Sequence, residues 1–334
     1  MGIETATGTR HERDAANGIA RMTPAAAPSR FEHSALYYRG AEGFLAGTLP
    51  FIVAGLDAGE AVVVAVSKPR AESIERSLGA ERERVRFVDV CTLARNPGRI
   101  IAFWRELLDG HVHDSLAARG VSELTWPGRT PAELSECERT ELLLNPAFAD
   151  GSAWRLLCAY DLAALDQPAI EAARRRHPLI ERDGRSCPSE GYEPSGARGV
   201  FDGALAAPGA APERIAFGAG DLASVRARVS SRAAQARLAG DRVEDLVLAI
   251  NELVTNSVQY GDRGGQLLIW QEAKVLMCEV RDRGRIEDPL VGRVRPKREQ
   301  SGGRGLWLVN QLCDLVQIRV TPAGTVVRVH MRLA

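Results

Sequence analysis

The sequence lacks a C-x-x-C pair, histidine pairs at metal-ligand spacing, and any apolar run approaching the roughly 18 residues that a membrane span needs. Its six cysteines, Cys91, Cys137, Cys158, Cys187, Cys278 and Cys313, are scattered along the chain. That pattern excludes a zinc ribbon and points to reduced thiols. The pair His111 and His113 falls in a helical pattern, where positions i and i+2 do not share a face, so it is not read as a metal site. Net charge is also missing, with 43 Lys and Arg against 43 Asp and Glu. No global field therefore favours nucleic acid or an anionic membrane, and no helix-turn-helix signal is visible. The first residues carry charge but no apolar signal region, so a cytoplasmic protein is expected. The P-loop signature G-x-x-x-x-G-K-[ST] and internal repeats are both absent.

What is present suffices for two cores: 334 residues, of which 45% are hydrophobic. Residues 1–30 mix Gly, Thr, Ala, Pro and charges without apolar periodicity, which predicts a disordered leader. Over 31–182, short apolar runs beginning at Ala61, Val85, Val121 and Trp154 alternate with helical patterns, as in a mostly parallel sheet. The first run is apolar throughout, as a strand covered on both faces would be. Residues 183–213 shift to Gly, Pro, Ser and Ala and read as a flexible linker. In 214–334, two helices, two strands, a basic glycine-rich loop, a third helix and a closing hairpin are expected. In the last strand Val327, Val329 and Met331 alternate with Arg328, His330 and Arg332, which predicts a sheet covered on one face only.

Three pieces of the carboxyl-terminal region carry chemistry. Asp241 with Glu244 reads as a capping box opening an amphipathic helix. On the polar face of that helix Glu252 and Asn256 stand one turn apart, so both can reach one ion or one water. After the strand ending near Arg281 comes Asp282-Arg283-Gly284, a carboxylate able to accept from an adenine amino group beside a glycine that permits close backbone approach. A basic loop holding Arg293, Arg295, Lys297 and Arg298 then leads through Ser301-Gly302-Gly303-Arg304-Gly305 into a helix. A glycine-rich segment opening a helix offers free N–H groups and the positive dipole end to phosphate. Each piece alone is common; their order and context are not.

Together, Glu252 to Asn256, Asp282 to Gly284 and Gly303 to Gly305 resemble the N box and the two glycine boxes of Bergerat-type (GHKL, histidine kinase-like) ATPases, and are most similar to the anti-sigma factor serine kinases. The resemblance implies an α/β two-layer sandwich that binds ATP and Mg²⁺. Asn256 would coordinate Mg²⁺, Glu252 would act catalytically on the attacking hydroxyl, and Asp282 would hold adenine. Gly284, Gly303 and Gly305 would let backbone amides meet the nucleotide, with Arg304 at a phosphate. Ile286 stands where the first glycine box often has its second glycine.

Residues 31–178 resemble the MEDS sensory domain through His33 to Tyr37, Gly55 to Glu60, Asp89, Asn96 to Arg99, Trp126 to Arg129, Glu138, Glu141, Asn145, Cys158 to Asp161 and His177-Pro178. Thr140 stands where relatives often have histidine. The fold implied is a RecA-like parallel sheet without a working P-loop, and Ser67-Lys68-Pro69 indeed follows the first long strand without a glycine-rich cradle. Ligands of open α/β sheets sit beyond the carboxyl ends of the strands, so Ser67, Asp89, Trp126, Tyr160 and Asp161 are expected to gather in a small-molecule pocket.

A histidine autokinase needs a phosphoacceptor histidine ahead of the ATPase. None of the six histidines lies between the linker and Glu252, which excludes that architecture. The resemblance then implies an anti-sigma regulator that sequesters a sigma factor and phosphorylates serine or threonine on a STAS-domain antagonist, with a homodimer among its possible assemblies. The competing class is a ligand- or nucleotide-gated binding module without transferase activity.

Overall fold

The computed structural model describes residues 30–112, 117–149, 153–182, 184–194, 197, 199–296 and 303–333. Residues 1–29 of the leader expected over residues 1–30, together with His113, Lys297, Arg298, Ser301 and Gly302, lie outside the described residues. Among the described residues, no helix is long and apolar enough to cross a membrane.

The amino-terminal part runs β1 (Glu32–Tyr38), α1 (Gly40–Asp57), β2 (Ala61–Val66), α2 (Lys68–Leu78), β3 (Val85–Asp89), α3 (Val90–Leu93), α4 (Ile100–Val112), β4 (Ala118–Ser122), α5 (Pro131–Ala147), β5 (Trp154–Asp161), α6 (Gln167–Arg176), β6 (Leu179–Arg182) and β7 (Arg185–Pro188). These strands form one sheet in the order β3-β2-β4-β5-β1-β6-β7. Every pairing is parallel except β6 with β7. Apolar side chains on both sheet faces require two helical layers. Phe44 and Ile52 of α1 with Ile74 of α2 cover one face, and Ile101 and Trp104 of α4, Leu143 of α5 and Ile170 of α6 cover the other. The parallel-sheet domain expected from the alternating pattern is therefore observed.

The carboxyl-terminal part runs β8 (Glu213–Gly218), α7 (Leu222–Gln235), α8 (Gly240–Tyr260), β9 (Gly264–Glu272), β10 (Val275–Asp282), α9 (Arg304–Leu312), β11 (Leu315–Thr321) and β12 (Gly324–Arg332). Its sheet, in the order β11-β12-β10-β9-β8, is antiparallel throughout. Val225 and Val229 of α7, Leu246, Ile250 and Leu253 of α8 and Val309 of α9 pack on its apolar face. The start of α8 differs from the expected capping box. Ala239 occupies the N-cap without a side-chain bond, and Asp241, already in the first turn, accepts from the Arg242 amide. Its charge still lies favourably at the helix N-terminus.

Between the two sheets, the segment read as a linker contributes β7 to the first sheet. Val200 packs into the amino-terminal core, and Phe201 touches the cores of both sheets. The second sheet is not open on its polar face, contrary to the expectation from β12. Glu279, Gln317, Arg319, Arg328 and His330 are all buried there. Pairing makes this possible. Glu279 accepts from Arg281 Nε at 2.6 Å and Arg328 Nε at 2.7 Å, and Gln317 Oε1 lies 3.0 Å from His330 Nε2. Arg319 Nη2 reaches Glu136 Oε1 of α5 at 2.8 Å.

A second joint lies at the end of α9. Arg99, in the short turn Pro97–Arg99, donates to the carbonyl oxygens of Asn310, Gln311 and Cys313 at 2.8, 2.6 and 3.0 Å. Carbonyls at a helix C-terminus lack intrahelical partners and carry partial negative charge, which a guanidinium satisfies on both counts. Asn96 donates to Asn310 Oδ1 at 2.9 Å, and Asn310 in turn donates to the carbonyl of Gly292 at 3.0 Å.

Candidate nucleotide site

Helix α8 presents Glu252 and Asn256 on one face because they are one turn apart, and both are half-buried beside the first turn of α9. Gly305 closes that contact: a Cβ there would stand 2.9 Å from Glu252 Oε2 and 3.1 Å from Asn256 Nδ2. Gly303, at the N-cap of α9, has a left-handed φ of 79°, which favours glycine. The free amides of the first turn of α9 follow directly.

At the end of β10 the Asp282 carboxylate is fixed through both oxygens. Oδ2 accepts from Ser257 Oγ at 2.6 Å and Oδ1 from the Gly284 amide at 2.8 Å. The Gly284 carbonyl accepts from Thr325 Oγ1 at 2.8 Å, and Thr325 is the register partner of Asp282 across the β10–β12 pair. A Cβ at Gly284 would sit 2.6 Å from the carbonyl of Tyr260, so the turn passes too close to α8 for any side chain.

These pieces border one cleft of about 290 Å³, lined by Asn256, Asp282, Gly284, Gly303 and Gly305 on its polar side and by Leu253, Val280, Ile286, Val291, Leu306 and Val327 on its apolar side. An apolar slot with one fixed carboxylate and glycines facing a helix N-terminus fits a flat heteroaromatic ring carrying phosphates. Five residues assigned from sequence are thus brought together, with Glu252 at the edge next to Gly305. Arg304 is exposed at the first residue of α9 and does not line the cleft. Ser257 and Thr325 escaped the sequence reading. Ser257 was visible as a hydroxyl on the apolar stripe of α8, whereas Thr325 becomes significant only through strand register.

The five residues expected in one amino-terminal pocket do not meet. Ser67 and Asp161 belong to one polar network. Glu123 accepts from Ser67 Oγ at 3.2 Å and pairs with Arg70 Nε at 2.7 Å, and Arg70 Nη2 lies 3.3 Å from Asp161 Oδ2. Burial raises the Glu123 pKa against the lowering effect of Arg70. Asp89 instead caps α3 by accepting from the Cys91 amide, and the Trp126 ring lies 3.4 Å from the Arg129 guanidinium. Tyr160 points to the opposite sheet face from its neighbour Asp161, because successive strand residues alternate. Its hydroxyl donates to Glu141 Oε1 at 3.0 Å, beside a cavity of about 300 Å³ between α5 and α6.

Comparison with known proteins agrees with this division. The MEDS family (MEthanogen/methylotroph, DcmR Sensory domain) matches residues 32–178, and the histidine kinase-like ATPase domain family matches residues 216–331. No curated protein gives a significant match. Among solved structures, the crystal structure of the RsbU and RsbW domains of Rv1364c from Mycobacterium tuberculosis is similar at 21% identity, with a TM-score of 0.29, covering 37% of this chain and 33% of that one. The chain thus spans about a third of the length of that relative. From the two family matches and the two sheets that carry them, the chain joins an amino-terminal MEDS sensory domain to a carboxyl-terminal histidine kinase-like ATPase domain of the GHKL class.

Proposed function

We propose that the protein is an anti-sigma regulator that binds ATP with Mg²⁺, sequesters a sigma factor and phosphorylates serine or threonine on a STAS-domain antagonist, under control of its MEDS domain. The observation that carries this reading is the convergence of Asn256, Asp282, Gly284, Gly303 and Gly305 on one cleft, with Glu252 beside Gly305. The residues fit the nucleotide. Asp282, held by Ser257 and Gly284, has a fixed orientation from which to accept from an adenine amino group. Asn256 offers an amide oxygen to Mg²⁺, and the first-turn amides of α9 face the phosphates. Bound ATP would supply the phosphoryl group. Glu252 would orient the incoming hydroxyl and accept its proton, the kind of positioning and charge placement on which phosphoryl transfer depends.

Control by the MEDS domain is supported by the contacts of the loop bordering the cleft. Val291 of that loop lines the cleft, while Arg293, two residues on, is buried against α5. A movement of α5 would therefore reach the nucleotide site through a short stretch of backbone.

One observation favours a nucleotide-gated binder without transferase activity: Ile286, in place of a glycine, packs on the core and lines the cleft. Incubation with labelled ATP, Mg²⁺ and a candidate STAS-domain antagonist separates the two. Label should move to the antagonist with wild type and be lost in Glu252→Ala while ATP affinity, read by calorimetry, stays near wild type. Transfer that survives Glu252→Ala removes that residue from catalysis, and ATP binding without transfer to any antagonist supports the binder.

A further inference from the structure

Four side chains from distant parts of the MEDS domain converge inside it: His33 of β1, Glu141 of α5, Cys158 of β5 and His177, just after α6. All are buried, and one potential ligand atom of each lies within 4.8 Å of the others. His33 Nε2 is 3.3 Å from Cys158 Sγ and 3.4 Å from Glu141 Oε2. His177 Nε2 is 3.5 Å from the same carboxylate oxygen, and Cys158 Sγ lies 3.9 Å from it.

The hydrogen bonds around the cluster fix what these atoms offer. Asn145 Nδ2 donates to the Arg176 carbonyl at 2.9 Å, which turns its Oδ1 toward His33 Nδ1 at 3.1 Å. An amide oxygen only accepts, so the proton of neutral His33 sits on Nδ1 and its Nε2 presents a lone pair. His177 Nδ1 faces the Ala173 carbonyl at 2.7 Å, with the same consequence. The fully buried His177 Nε2 has no hydrogen-bond partner among the described residues. Glu141 Oε1 is occupied by the Tyr160 hydroxyl, leaving Oε2 facing inward. With both imidazoles neutral, two imidazole lone pairs, a carboxylate oxygen and a sulfur surround one point, and only the thiol brings a proton. A buried constellation of acceptors with so few donors is costly unless a cation completes it.

We propose that His33, Glu141, Cys158 and His177 form a tetrahedral divalent transition-metal site, suited to Zn²⁺. Bonds of zinc to N, O and S imply ligand-to-ligand edges of about 3.3–3.8 Å, near the observed separations. Binding deprotonates Cys158, releasing one proton to solvent. The thiolate and carboxylate then balance the two charges of the metal, so the closed site is neutral, as full burial demands. Asn145, the Ala173 carbonyl and Tyr160 act as the outer hydrogen-bond partners that orient metal ligands. The cavity beside Tyr160 and Glu141 offers an entry path.

The protein, purified without chelator, should contain stoichiometric zinc by elemental analysis. X-ray absorption at the zinc edge should give one sulfur and three nitrogen or oxygen neighbours. After chelation, Co²⁺ should titrate to one equivalent, with visible tetrahedral bands and a near-ultraviolet thiolate band. Cys158→Ser should remove the thiolate band, whereas Cys91→Ser, at an exposed thiol, should keep it. A zinc shell without sulfur, no saturable Co²⁺ spectrum in the wild type, or a thiolate band that persists in Cys158→Ser would each overturn the site. The first two readings use only wild-type protein and do not depend on how the variants fold.

Discussion

Arg293, from the loop bordering the nucleotide cleft, is buried against the MEDS domain, with Nη1 2.9 Å from Thr140 Oγ1 and Nη2 3.4 Å from Glu136 Oε2. Glu136 Oε1 also pairs with Arg319 at 2.8 Å and lies 3.6 Å from Arg139 Nε. One carboxylate thus serves three guanidinium groups. Burial disfavours the charged form of Arg293 and of Arg139, so both depend on that counter-ion. Glu136→Ala leaves buried cations facing one another and should cost about 3–5 kcal/mol of stability. Arg293→Ala leaves Glu136 paired with Arg319 and should cost less, about 1–2 kcal/mol. Urea unfolding of both variants checks the order; equal losses would mean that Glu136 is not the shared counter-ion.

The joint at α9 gives a sharper steric expectation. A Cβ at Gly98 would lie 2.4 Å from Asn310 Oδ1, inside the pair that Asn96 and Asn310 make. Gly98→Ala should lift the Asn96–Arg99 turn from the helix end and lower stability by about 1–3 kcal/mol. In an Asn310→Ala background the obstructing oxygen is gone, and the same substitution should then cost little. A double-mutant cycle measures this directly. Additive losses would place the strain elsewhere.

The nucleotide cleft was legible in the sequence because each of its pieces is local: a helical i, i+4 pair, a strand-end carboxylate with a glycine, and glycines opening a helix. The interdomain polar layer was not. Arg328 and His330 alternate with apolar residues as solvent-facing positions do, and the burial of Arg328 depends on partners such as Glu279 and the Ala206 carbonyl, far away in sequence. The cluster of His33, Glu141, Cys158 and His177 was hidden for the same reason, since metal-ligand spacing rules work only within one element or loop. The opposed directions of Tyr160 and Asp161 are different: strand alternation already required them to part.

Gly305 separates folding from binding. The atoms that its Cβ would meet, Glu252 Oε2 and Asn256 Nδ2, are the ends of side chains that can swing aside. Gly305→Ala should therefore keep its unfolding midpoint near wild type, while the space between α8 and α9 is filled. ATP affinity should fall by about tenfold or more, on the order of 1.4 kcal/mol. Calorimetric titration with ATP and Mg²⁺, beside a thermal melt, reads both quantities. Unchanged affinity would move the phosphates away from this contact.

His330 should make stability depend on mild acid. Burial, reinforced by Arg328, lowers its pKa from 6.5 to about 4, against the opposing charges of Glu133, Glu272 and Asp314. The folded state therefore holds the imidazole neutral, 3.0 Å from Gln317 Oε1, where the unfolded chain would take a proton. Above the unfolded value both states are neutral and the contribution is complete. As pH falls from 6.5 toward 4 only the unfolded state gains a proton, so stability is lost across that window, up to an upper bound of about 3 kcal/mol. Asp314 acts lower on the scale: burial would raise its pKa, but the Arg332 amide and the charges of Arg242 and Arg95 hold it below the usual carboxylate value. Its contribution is lost only as pH falls through that depressed value. The upper part of the window is thus clear of Asp314. In His330→Gln, which keeps a donor for Gln317 and cannot titrate, the urea midpoint should fall less between neutral pH and about pH 5 than in wild type. Parallel losses in the two proteins would assign the acid sensitivity to other groups.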